Sequence, residues 1–300
     1  MIKFNSIQAL VDEAVEKNIK LSELCLADQA EQLSMSREEI YNRMEASFDI
    51  MVESTHRGQD PEMRSTSGLT GGEGYKMMQY AEKEAGGLCG EFVTRAMGRA
   101  MAVSNCNAAM GKIVATPTAG SCGILPGCLV TMYEDRGYSK KDVVMSIFTA
   151  AAFGGVIANC ASISGAEGGC QAECGSAAGM AAAALVELMG GSPQQSADAL
   201  GMALVSQMGL ICDPVAGLVE IPCIKRNSAS VMIALGSASM AMAGVDLMIP
   251  TDECISAMKA VGDSMSTALK ETAQGGLAAT PTGRRLRIEA FREDADEDEF

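Results

Sequence analysis

The 300-residue chain has no tryptophan, one histidine and only 4% aromatic residues. Its core cannot rest on large rings. The 32 glycines and 22 methionines, with many alanines and serines, point instead to helices that approach closely around adaptable packing. No basic patch is visible, and a formal net charge of −15 argues against nucleic acid as a partner, because phosphates need clustered Lys and Arg. The opening stretch MIKFNSIQALVDEAVEKNIK lacks the apolar run of a signal peptide. With no export signal, an odd count of 11 cysteines argues against a disulfide framework and for a reducing cytoplasm. Alternation of period two is nearly absent, which disfavours strands, and no tandem repeat is seen.

What is present reads as helix. Ile7, Leu10, Val11 and Ala14 recur at helical spacing, as do Ile40, Met44 and Phe48. Between them, Ser36 followed by Glu39 has the form of a capping box. Gly58 to Gly74 is expected to be a loop; its SGLTGGEGY segment matches no P-loop or dinucleotide pattern. From about residue 85, Ala- and Met-rich runs are broken by Gly and Pro at 116–127, 164–175, 190–193, 213–223 and 249–251. The expected architecture is all-α, with Gly/Pro-rich loops at helix ends. Residues 1–57 form an amphipathic helical segment, 58–283 the main domain, and 284–300 a charged, disordered tail holding six acids between Glu293 and Glu299. Ser228 to Pro250 approaches the length of a membrane span, but its Ser, Gly and Asp246 favour a central buried helix and no membrane.

Three cysteines stand in uncharged, turn-forming surroundings: Cys170 in SGAEGGCQ, Cys212 in LICDPVAG and Cys223 in VEIPCIKRN. Thiolates are the ligands that iron–sulfur clusters demand, and neighbouring Gly and Pro let backbone approach a buried anion. Three thiolates on a four-iron cluster would leave one iron open to substrate. The separations of 42 and 11 residues are unlike the compact ferredoxin run. Each cysteine taken alone is equally well read as a small buried hydrophobe.

The strings NCASISGAEGGCQAECG (159–175), CDPVAGLVEIPCIKRN (212–227) and TPTAGSCGILP (116–126), with GGLA at 275–278, resemble the catalytic region of bacterial iron–sulfur L-serine dehydratases. The resemblance covers roughly residues 50–280 and implies a helical domain holding a [4Fe–4S] cluster through Cys170, Cys212 and Cys223, with no pyridoxal phosphate. It implies L-serine as substrate and pyruvate and ammonia as products. Single-chain members carry an upstream Ser-Ser-His-Thr domain that this chain lacks, so it is similar to the alpha chain of two-chain members, with a beta chain as partner. Cys174, Cys122, Cys160 and Cys106 are left as packed thiols. The terminal cysteine that caps the open iron in some relatives has no counterpart here.

For substrate contacts the sequence offers Thr118, Ser121, Arg226 and Asn227. Lys76 and His56 are weak candidates for the catalytic base, which a beta-chain histidine fits better. Glu167 and Glu173, flanking Cys170, read as capping or loop-orienting acids. Two other functions stay open: a sister lyase such as an L-cysteine desulfidase, and a non-catalytic iron–sulfur protein.

Overall fold

The amphipathic opening folds into helices whose ends are set by their own side chains. In the computed structural model, which describes residues 5–83 and 86–291, Ile7, Leu10, Val11 and Ala14 form the buried stripe of α1 (Ile7–Glu16). After α2 (Leu21–Leu33), α3 (Arg37–Arg57) begins with both bonds of the Ser36–Glu39 capping box, a device worth about 1 kcal/mol. Ile40 and Phe48 are buried on α3, with Met44 packed partly beside them. Helix α4 (Glu73–Lys83) starts inside the segment read as a loop, because Gly74 fits closely against α5 (Gly90–Ala108): a Cβ there would lie 2.6 Å from the Ala102 Cα.

The remaining helices are α6 (Ile124–Arg136), α7 (Lys140–Cys160), the one-turn α8 (Gly165–Gly168), α9 (Ser176–Leu188), α10 (Pro193–Gln207), α11 (Cys223–Met242), α12 (Thr251–Ser264) and α13 (Pro281–Phe291). The fold is all-α, as expected, with no strand among the described residues. Its axis is α9, buried at every position from Ser176 to Glu187 and packed against α6, α7, α10 and α11. A sequence of Ala, Gly and Ser makes that possible. At Gly179 even a methyl group would sit 2.6 Å from Leu200 Cδ1 of α10, so backbone and side chain are already in contact.

The expectation of a central helix over Ser228–Pro250 is corrected here. Helix α11 stops at Met242, the chain turns at Gly244 (φ +79°) and Met248 (φ +65°), and Met232 and Met240 leave the outer face of α11 exposed. One described helix is long and apolar enough to cross a membrane, α7, and 67% of its apolar window is buried inside the protein. Residues 284–291, assigned from composition to a disordered tail, belong to α13 because Gly283 lets this helix dock on the Leu277 and Ala278 carbonyls. The acidic run from Glu293 lies outside the described residues.

Candidate metal centre

Cys170 follows α8 and opens a five-residue π-turn, Gln171–Gly175, that leads directly into α9. The turn carries Cys174 back beneath it, with the sulfurs 3.3 Å apart. Gly169 (φ +76°) makes the bend, and a side chain there would strike Met265 Sδ at 2.7 Å. Cys212 arrives from a distant segment through an isolated parallel bridge with Lys270: its N–H donates to the Leu269 carbonyl and its carbonyl accepts from the Glu271 N–H, both at 2.8 Å. Cys223 is the first residue of α11, buried to 8% exposure.

These sulfurs influence one another electrostatically. Hydrogen bonds from the Cys174 and Cys212 thiols, aided by the Arg226 guanidinium, hold Cys170 well below the usual thiol range, while the same contacts push Cys174 and Cys212 up. Burial first, and then the charge of Cys170, pushes Cys223 up to about 12. The result is one thiolate stabilised by thiol donors whose protons a metal would displace. The sulfurs are free cysteines, and the ligand atoms of Cys170, Glu173 and Cys174 lie within 4.8 Å of one another. Soft thiolate donors of this kind fit an iron–sulfur group, and their wide spacing in sequence matters little once the π-turn and the Cys212 bridge bring them together.

A second layer holds the sulfurs in place. Arg226 donates to the Ile211 carbonyl (2.9 Å) and to Asp213 Oδ1 (2.8 Å), and Asp213 Oδ2 accepts the Leu277 N–H at 2.7 Å. The GGLA segment thus closes on the Cys212 segment through Asp213. Asn227 donates to the Gly120 and Cys223 carbonyls and accepts the Gly123 N–H, so its amide fastens the 116–123 loop to α11 and is fully engaged. Glu220 accepts from Ser67 and Thr70, which pins the SGLTGG segment three residues before Cys223.

Thr118 and Ser121 lie 3.1 Å apart, and Thr118 donates to Glu173. Burial pushes the Glu173 carboxyl up to about 7, so it can hold a proton near neutrality beside the sulfurs. Gly120 leaves room for it, since a Cβ there would lie 2.5 Å from Glu173 Oε1. Glu167 accepts from Ser162 (2.6 Å) in the first turn of α8, the loop-orienting position expected of it.

The two candidates for the base are not drawn into this group. His56 Nε2 pairs with Glu134 at 2.7 Å, and Glu134 lies about 15 Å along α6 from Ile124. Lys76 is exposed on α4. Cys106 is buried and Cys160 exposed, while Cys122 is buried with its thiol pushed up by burial first and then by the charges of Cys106, Glu173 and Cys223. Three neighbours of the sulfurs escaped the sequence reading. Asp213 and Gly165 sat unremarked inside motifs, and Glu271 reaches Cys212 only through the bridge. A Cβ on Gly165 would lie 3.0 Å from Cys212 Sγ, 3.1 Å from Glu271 Oε2 and 3.5 Å from Glu173 Oε2, so these three groups face one small space.

The family model described as the serine dehydratase alpha chain matches residues 16–278. The chain is 46% identical over 288 residues to the probable L-serine dehydratase, alpha chain, of Bacillus subtilis, spanning 96% of this chain and 95% of that one. It is 39% identical over 289 residues to the L-serine dehydratase, alpha chain, of Peptoniphilus asaccharolyticus, spanning 96% and 99%. The L-serine dehydratase of Mycobacterium tuberculosis is longer: 184 aligned residues, 46% identical, cover 60% of this chain and 40% of that protein.

Proposed function

The chain belongs to the serine dehydratase alpha-chain family, and from that premise we propose that it is the catalytic chain of an L-serine dehydratase, deaminating L-serine to pyruvate and ammonia. The observation that carries this reading is the gathering of Cys170, Glu173 and Cys212 from distant segments beside Gly165, with Cys223 at the start of α11 within electrostatic reach of Cys170. These three cysteines would hold a [4Fe–4S] cluster, which when bound supplies a Lewis-acid iron with one position open for the substrate. Around it, Arg226 keeps a positive charge against Cys170, with Asp213 bracing the guanidinium. Thr118 and Ser121 offer hydroxyls to orient the substrate, and Asn227 fixes the loop that carries them. The buried walls of α9 and α11 exclude water from the sulfur side.

A separate beta chain would supply the base. Support for a partner comes from the alpha-chain names of the full-length relatives and from the longer protein of which this chain matches 40%.

The test is anaerobic co-expression with the beta chain, then iron and sulfide counting and a pyruvate assay with L-serine, on wild type and on Cys170→Ala, Cys212→Ala and Cys223→Ala. About four irons per alpha chain, with pyruvate formed and both lost in each variant, is the expected result. A complex without iron would overturn the cluster, and an iron-loaded complex inert toward serine would overturn the activity.

A further inference from the structure

Glu271 stands out among the groups facing the sulfurs. Its backbone is left-handed (φ +59°) without being glycine, a conformation that an L residue adopts only when its surroundings impose it. What imposes it is the bridge: the Glu271 N–H is bound to the Cys212 carbonyl at 2.8 Å. That turn delivers the carboxylate to the space above Gly165, opposite Cys212 Sγ and Glu173 Oε2.

Glu271 also differs from its neighbours in having nothing to hold. Glu173 accepts from Thr118, and Asp213 accepts from Arg226 and Leu277, but the Glu271 carboxylate accepts no hydrogen bond from a described residue. The residue is open to solvent on one side, so a ligand entering from outside meets it first. The cation nearest the sulfurs, Arg226, is already matched by Asp213. Of the acids near the sulfurs, Glu173 and Asp213 are matched by described donors and Glu271 is not, so the space over Gly165 favours a ligand that brings its own positive charge to that carboxylate.

An amino acid carries that charge on its α-nitrogen, whereas the corresponding hydroxy acid does not. Resting on the dehydratase reading, we propose that Glu271 receives the α-ammonium of the substrate and makes the site select 2-amino acids over 2-hydroxy acids. A carboxylate held over Gly165 by the Cys212 bridge sits at a fixed place relative to the sulfurs, so the same contact sets which face of the substrate is turned to them.

The experiment uses the reconstituted two-chain holoenzyme, with L-serine kinetics and inhibition by glycerate, which differs from serine in having a hydroxyl where serine has the ammonium. Glu271→Gln keeps the size and removes the charge. Glu271→Gly removes the side chain while accepting the left-handed backbone, so a loss it shares with the Gln variant cannot come from strain. Both variants are expected to raise the KM for serine about 10- to 100-fold, the scale of one charged hydrogen bond, with kcat within about threefold and the glycerate inhibition constant unchanged or lower. Iron counts on the same samples should match wild type. If the serine KM and the glycerate constant move by one common factor, or neither moves, the proposal is overturned while the dehydratase reading stands. If iron-loaded wild type itself does not turn over serine, both fall together.

Discussion

Cys170 and Cys174 are four residues apart and touch, yet they need not share a role. Their sulfurs share a hydrogen bond, which ends when a metal takes the proton's place. Cys174→Ala is therefore expected to retain iron and serine turnover near wild-type levels in anaerobic preparations, while losing roughly 1–2 kcal/mol in urea unfolding for the emptied buried volume. Loss of iron equal to that of Cys170→Ala would make Cys174 a ligand. At this scale the sequence was informative where chemistry is local. The glycines beside Cys170 announced a bend, and Gly169 makes it. It was silent on Glu271, whose place depends on a bridge between segments 58 residues apart in the chain. It did not show that the Asn227 amide, named as a substrate contact, is bonded to the Gly120 and Gly123 backbone, because those partners lie more than 100 residues away in the chain.

Helices α6 and α11 meet through that amide. Removing it in Asn227→Ala leaves the Gly123 N–H and the Gly120 carbonyl, both buried in the 116–123 loop, without their partner, at about 1–3 kcal/mol for each group left unmade. We expect a drop of about 2–4 kcal/mol in urea unfolding, together with a loss of serine turnover larger than the loss of iron, because the loop carries Thr118 and Ser121 whereas the cysteines sit on other elements. Equal losses of both would show that the loop also retains the cluster. The element scale was legible where ends are set by neighbours in sequence. The Ser36–Glu39 box and the α1 stripe are local, and both are present. It was not legible for choosing the centre. Residues 176–188 and 228–250 are both apolar runs rich in small residues, and only packing decides that the first is enclosed while the second keeps an open face and breaks at Gly244.

The whole molecule is arranged around a helix with no free side. Because α9 is enclosed by α6, α7, α10 and α11, it cannot turn about its axis without displacing Leu200 from Gly179 and unpacking its other neighbours. Deleting Ala172 would close the Gln171–Gly175 π-turn into ordinary helix and remove the wide turn that seats Cys174 beneath Cys170. The enclosed helix would keep its place and the mismatch would fall on Cys170. The expected variant unfolds cooperatively in urea, within about 2 kcal/mol of wild type, yet holds no iron; a deletion that keeps its iron would show that the turn is only a flexible joint. The same feature bears on descent. The five positions of the turn take up one residue more than an ordinary helical turn, so lineages are held to their number as well as to the acid at Glu173, and an alignment of relatives should run through 171–175 without a gap.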